Sequence, residues 1–238
     1  MGSSQTLVLF KPDALKNSLS GYLLTMLSEF NTGLIIAGMK VVHVSTMLAE
    51  EHYAEHKGKS FFPSVIDYIA GRRHFANEPH RQRVVALVFQ GIDAVKVVRD
   101  VCGPTDPVKA REQKPGCIRS LGMTHIINDQ NGKVIDSQME NLIHASANDI
   151  DAEREIKLWF KPIDIPPMLR SYPAEMCKKH YYINNGLLSD EYSDHAVCLV
   201  APGDVVWKSD LDSLEVLLQK KTAAVALESI AAKYLVNT

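Results

Sequence analysis

The four cysteines, Cys102, Cys117, Cys177 and Cys198, are scattered, with no Cys-x-x-Cys pair and no Cys/His cluster at zinc-ligand spacing. That excludes a zinc-ribbon core and a dithiol redox motif, and it points to reduced thiols in a cytoplasmic protein. No apolar run approaches the roughly 20 residues that a membrane-spanning helix requires, and the first residues lack a basic and apolar leader pattern. The first six residues do fit the loose pattern for N-myristoylation. Because Thr6 already opens a strand-like run, little free arm is left and lipidation is not expected. Charge of one sign is also lacking: 26 Lys and Arg stand against 28 Asp and Glu. A dedicated nucleic-acid surface is therefore not expected, although a few well-placed cations suffice for a phosphate pocket. Glycine is missing where a P-loop needs it. Gly58-Lys59-Ser60 resembles the end of that motif, but Tyr53 occupies the place of its first glycine, which argues against a P-loop kinase.

What is present has the balance of a globular chain, 46% hydrophobic and 23% charged, able to bury a sizeable core. Residues 6–10 form a short apolar run typical of a buried strand. Leu19, Tyr22, Leu23, Met26, Leu27 and Phe30 recur every three or four residues, which predicts a helix with one core-facing stripe, stopped by Gly33. Residues 34–44 read as a second strand, 46–56 and 63–70 as short helices, and 84–89 as a third strand. Residues 94–102 form a helix closed by Gly103 and Pro104. After a long loop, 141–144 read as a strand end and 151–160 as a helix. Helices alternating with strands predict an α/β sandwich around a small sheet. The connections suit either a parallel sheet or a split βαβ arrangement.

Two segments look like additions. Residues 71–83 carry Arg72, Arg73, His74, His80, Arg81 and Arg83 with almost no apolar pattern. They read first as a solvated loop, with a nucleotide-approach or partner surface as the sharper alternative. Residues 125–137 alternate around Asn131-Gly132 and predict an inserted β-hairpin. Beyond Lys161, Pro162, Pro166 and Pro167 forbid a continuous helix. Residues 196–201 then read as a strand, and 210–236 contain a long helix whose stripe (Leu211, Leu214, Leu217, Leu218, Val225, Ile230, Leu235) packs on its own domain or, less favoured, on another subunit.

Three sets of side chains suit phosphate chemistry. Lys11, in Lys11-Pro12-Asp13, stands where the first strand ends, the edge at which ligands meet sheets. Arg99, Thr105 and Arg119 supply two guanidinium groups and a hydroxyl for phosphate oxygens. Asn141-Leu142-Ile143-His144-Ala145-Ser146, with Glu155 on the following helix, offers an imidazole nucleophile with neighbours able to orient it. Each alone has a bland structural explanation, and only their convergence makes a site.

Their order carries more than any one of them. Residues 6–14 (Thr-Leu-Val-Leu-Phe-Lys-Pro-Asp-Ala), residues 52–62 from His52-Tyr53 to Phe61-Phe62, Gly103-Pro104-Thr105-Asp106-Pro107, Pro115-Gly116-Cys117-Ile118-Arg119, residues 141–146 and residues 152–160 stand in the order found in nucleoside diphosphate kinases, and the chain resembles that family over roughly residues 5–160. The resemblance implies an α/β (α+β) fold, a ferredoxin-like sandwich with a small antiparallel sheet covered by helices. It would fill residues 1–160 apart from insertions near 71–83 and 122–140, with residues 161–238 as a C-terminal extension packing on the core or on another subunit. It further implies that His144 is phosphorylated by a nucleoside triphosphate and returns the phosphate to a diphosphate, in ping-pong fashion. In that reading Glu155 and Ser146 hold His144, and Tyr53 lies near the transfer. Lys11, Arg99, Thr105 and Arg119 bind phosphates, Phe61 stacks on the base, and Asn141 with Lys11 holds the ribose. Mg²⁺ arrives with the nucleotide, held by its phosphates and not by protein ligands. The implied assembly is a homo-oligomer, dimer or hexamer, with no membrane attachment. The sequence departs from the family pattern at Ala147, where Asp is usual, and at Ser120-Leu121, where Gly-Asp is usual. A catalytically weak nucleotide-binding regulator or scaffold, and a protein-histidine phosphotransfer module, are the alternatives of different class.

Overall fold

The computed structural model describes residues 3–128, 130–132 and 134–236. Met1 and Gly2, on which the myristoylation pattern depends, lie outside the described residues, as do Asp129 and Lys133 in the hairpin.

Strand β1 (Ser3–Phe10) leads into three short helices, α1 (Pro12–Lys16), α2 (Ser20–Met26) and α3 (Glu29–Thr32), and then strand β2 (Ile35–Val42). The single helix expected over 19–30 is thus broken. A new turn starts after Ser28, the apolar phase is lost, and Phe30 points outward, 98% exposed, with Tyr22 also exposed. Gly33 closes the segment as expected, in the left-handed conformation at φ 69°. Helices α4 (Thr46–His52) and α5 (Phe62–Ile69) follow; the Ser45 hydroxyl caps α4 by accepting from the Leu48 amide.

Strand β3 (Val84–Ile92) and helix α6 (Ala94–Cys102) agree with the sequence reading, and Gly103 ends α6. The expected long loop contains a further helix, α7 (Pro107–Gln113). Its signal was present: Asp106 accepts from the Val108 amide at 2.8 Å, and Pro107 sits in the first turn. Strands β4 (Met123–Asn128) and β5 (Val134–Glu140) pair as the expected hairpin. Strand β6 (Ile143–Ala145) and helix α8 (Asp149–Trp159) complete the frame.

The main sheet has the order β2-β3-β1-β6, and every pairing in it is antiparallel. This decides between the two arrangements the sequence left open, in favour of the split βαβ pattern. Alternation along β1 sends Leu7 and Leu9 to one face and Val8 and Phe10 to the other. The first face is covered by α4, α5 and α8 through Leu48, Ile66, Ile69, Ile156 and Trp159. The second is covered by α2 and α6 through Leu23, Leu27, Ala94 and Val98. Burial on both faces explains why β1 reads as an unbroken apolar run.

Beyond Phe160 the chain builds short strands and two helices, α9 (Lys208–Leu218) and α10 (Leu227–Ala231). The single long helix expected here is broken, because Lys220 adopts a left-handed conformation, φ 57°, just after α9. Leu214, Ile230 and Val206 share a core of their own, while Trp207 and Ala232 join the core formed by α4, α5 and α8.

Candidate active site

His144 lies on the short strand β6, opposite Leu9 of β1. Its Nε2 donates to Glu155 Oε2 at 2.9 Å, and the Ser146 hydroxyl donates to the same oxygen at 2.6 Å. Ser146 is itself fixed, accepting from the Leu7 amide at 3.1 Å. A carboxylate only accepts, so Nε2 carries a proton, and in the neutral ring Nδ1 is the nitrogen with the lone pair. Burial would raise the Glu155 carboxyl, but the charge and hydrogen bond of His144, together with His52 and Ser146, outweigh it and bring its pKa down to about 2. Glu155 is therefore a permanent anion behind the ring.

In front of the ring is a cavity of about 610 Å³ lined by His144, Lys11, Tyr53, Phe61, Arg99, Thr105, Arg119 and Asn141, among others. Eight of the ten positions singled out in the sequence thus line one space, and Glu155 and Ser146 stand directly behind it. No Asp or Glu is among the lining residues. Lys11 and Arg119 are nonetheless almost fully buried, which is costly for a cation without an anion. Burial, partly opposed by Asp13 and reinforced by Arg119, lowers the Lys11 ammonium to about 8. Lys11 Nζ donates to Asn141 Oδ1 at 2.6 Å, and the Asn141 amide donates to the Thr105 carbonyl at 2.9 Å. Arg119 donates to the Gly103 carbonyl at 2.9 Å and to the Ile143 carbonyl at 3.3 Å, with its Nε buried and unpartnered. Phe61, at the N-terminus of α5, is half exposed at the cavity mouth.

Several supporting residues escaped the sequence reading. Leu142, just before β6, has φ 66°, a strained conformation for a branched side chain. It is held from both sides: its amide donates to Asp13 Oδ2 and its carbonyl accepts from the Lys11 amide, each at 2.9 Å. Asp13 is thus an internal clamp and does not line the cavity. The Tyr68 hydroxyl accepts from the Asn141 backbone N–H at 3.3 Å. His52 accepts at Nδ1 from Trp159 Nε1 at 3.1 Å, and its ring packs edge-on against His144 at 4.6 Å. Burial, with the charge of His144, keeps it neutral, far below the ordinary histidine range. His52, His144 and Glu155 are close enough to suit a metal ion in outline; His52 Nδ1 is bonded to Trp159 and His144 Nε2 to Glu155, while His52 Nε2 is buried without a partner. The only sequence hint for His52 was its place beside Tyr53.

A second concavity, about 870 Å³, shares Arg99 but not His144 and has mixed charge from Asp93, Lys96, Asp100, Lys114 and Asp149. Ala147 opens into it and not into the His144 cavity. The absent carboxylate at 147 therefore falls outside the space in front of the nucleophile.

A half-buried histidine, anchored at Nε2 and facing buried cations, suits covalent transfer of an anionic group. Comparison with known proteins agrees: the sequence model of the family described as nucleoside diphosphate kinase matches residues 4–165. The chain belongs to the nucleoside diphosphate kinase family. It is 36% identical over 197 residues to the nucleoside diphosphate kinase of Thermococcus kodakarensis, covering 82% of this chain and 95% of that protein. It is 40% identical over 161 residues to the enzyme of Pyrococcus furiosus, covering 68% and 85%. A solved nucleoside-diphosphate kinase from Borrelia burgdorferi, described as a transition state mimic with bound vanadate and ADP, superposes with a TM-score of 0.54 at 30% identity, covering 71% of this chain and 94% of that one. The nucleoside diphosphate kinase fold expected from the sequence, a small antiparallel sheet covered by helices, is the fold observed.

Proposed function

We propose that this family member transfers the terminal phosphate of a nucleoside triphosphate to a nucleoside diphosphate through His144 Nδ1. The observation that carries the reading is the pairing of a tautomer-fixed imidazole with a cavity that holds buried cations and no carboxylate. In the first half-reaction Nδ1 attacks the terminal phosphorus, an N–P bond forms, the bridging O–P bond breaks, and the diphosphate leaves with the electron pair. In the second, a terminal oxygen of another diphosphate attacks the same phosphorus and the N–P bond breaks. Such transfer depends on alignment and charge stabilisation. Glu155 holds the ring and balances its positive charge, Ser146 fixes Glu155, and Tyr53 lies beside the transferring group. Lys11, Arg99, Thr105 and Arg119 take phosphate oxygens, Asn141 with Lys11 takes the ribose, and Phe61 offers a stacking face. Mg²⁺ would supply charge neutralisation at the phosphates; the lining residues offer it no carboxylate cage, so it would be held with the nucleotide that Lys11, Arg99, Thr105 and Arg119 bind.

We read residues 1–160 as the catalytic domain and 161–238 as an extension. We expect a homo-oligomer in the cytoplasm, where the free thiols of Cys102, Cys117, Cys177 and Cys198 stay reduced. Among the described residues no helix is long and apolar enough to cross a membrane.

The test is to mix the protein with Mg²⁺ and γ-labelled ATP and then add GDP. Acid-labile label should appear on the wild type and move to GDP, and His144→Asn should take none. Wild type that binds ATP but takes no label would replace the kinase reading with a nucleotide sensor.

A further inference from the structure

The two segments that interrupt the family pattern meet at the mouth of the cavity. Arg73 follows α5 and Gln138 lies on β5, and both line the same space as Phe61, Ser64 and Val65. The Arg73 guanidinium donates to Gln138 Oε1 and lies 5.7 Å from the centre of the Tyr68 ring. Behind this pair is a second tie between the same segments: His74 Nε2 meets Glu140 Oε1 at 2.8 Å with the His74 ring buried, and His125 approaches the other Glu140 oxygen at 3.3 Å. The Gln138 side chain is therefore oriented, with its oxygen turned to Arg73. The group turned away from that contact is the amide NH₂, a donor.

Its place along the chain says what it would meet. His144 is the phosphoryl acceptor, and Asn141, three residues earlier, holds Lys11. Gln138 is three residues further out, a span of about 10 Å at most. Gln138 lines the same cavity as the nucleophile, the phosphate cations, the Asn141–Lys11 pair and Phe61. Stacking on Phe61 alone would accept any base, since every base has a π face. A fixed donor at the base edge would not.

We infer that Gln138, held by Arg73 at the cavity mouth, reads the nucleobase edge and favours guanine and uracil or thymine, which carry a carbonyl oxygen where adenine and cytosine carry an amine. The inference rests on the kinase reading. One neutral hydrogen bond gained changes the preference about 3- to 10-fold.

The experiment measures kcat/KM for GTP, UTP, ATP and CTP as phosphate donors, with one common acceptor, in wild type, Gln138→Glu and Gln138→Leu. Gln138→Glu keeps a partner for Arg73 and removes the NH₂ donor; Gln138→Leu removes both. Wild type should prefer GTP over ATP and UTP over CTP by that factor, and both variants should lose the preference. Equal wild-type values for the four donors overturn the inference. So does a uniform fall in both variants with the ratios intact, which would make Gln138 a structural wall only. No phosphoenzyme with any of the four donors would instead sink the kinase reading itself.

Discussion

The phosphate-binding role proposed for Lys11 requires a charge in a place that disfavours one. Lys11 is 7% exposed, its ammonium donates to Asn141, and burial lowers its pKa to about 8 from 10.5. For the free enzyme, kcat/KM follows the ionisation of such a group. As pH rises through about 8 the lysine loses its proton and one phosphate-binding charge disappears, so kcat/KM should fall on that side. A bound polyphosphate favours the charged form, so kcat at saturating nucleotide should hold to higher pH. Stability runs the other way: between about 8 and 10.5 the unfolded chain holds more protons than the folded one, and stability rises with pH across that window. A pH profile of kcat/KM checks this, and Lys11→Arg should remove the alkaline limb while retaining measurable turnover. A wild-type profile that stays flat to pH 10 would mean that Lys11 is not the group. At this scale the sequence was informative about side chains that touch the cavity, because lysine, arginine and histidine announce their chemistry. Of the groups that hold them it indicated Glu155 and Ser146, but it was silent on others. Asp13 and Leu142 matter through backbone bonds across the sheet, and nothing in residue type reveals a partner about 130 positions away.

Elements turn these side chains toward one space. Strand β6 contributes only three residues, yet its pairing with β1 places His144 opposite Leu9, and α8 returns across the sheet to bring Glu155 behind the ring. Helix α6 ends at Gly103, with φ 78°, and the Gly103 carbonyl accepts from Arg119. A Cβ at this position would stand 2.2 Å from Cys117 Sγ. Gly103→Ala therefore meets both backbone strain and a buried clash, and it should cost about 2 kcal/mol or more, read as a lower urea midpoint with unchanged slope. Nucleotide KM should rise with it, because the carbonyl that seats Arg119 shifts. A variant with wild-type stability and KM would show that the loop gives way freely. The helix stop at Gly103 was legible in the sequence because glycine is the residue that such a turn admits. The break between α2 and α3, and the one after α9, were not: Ser28 and Lys220 are ordinary helix residues, and tertiary packing overrode local preference.

The molecule as a whole continues the core past the end of the family match at residue 165. Trp207 is fully buried among Trp159, Phe160 and Ile165, and its Nε1 donates to the Phe160 carbonyl at 2.7 Å. Its amide donates to the Tyr234 hydroxyl at 3.3 Å, which in turn donates to Asp210 at 2.9 Å, a buried carboxylate also paired with Lys233. Helix α10 packs on α4, where the Ser229 hydroxyl donates to Glu51, one residue before His52. The C-terminal section is thus tied by Trp207 to the face of the sheet that carries α8, and by α10 to the helix that ends beside His144. If those ties make one cooperative unit, a lesion at their centre must be felt everywhere. Trp207→Ala removes a large buried ring and leaves the Phe160 carbonyl without its donor, a loss of about 3–5 kcal/mol. Urea unfolding followed by circular dichroism should show a single transition moved to lower denaturant. Loss of phosphate transfer should coincide with it. Two separated transitions, with transfer surviving the first, would show instead that residues 161–238 fold on their own and leave the catalytic core unaided.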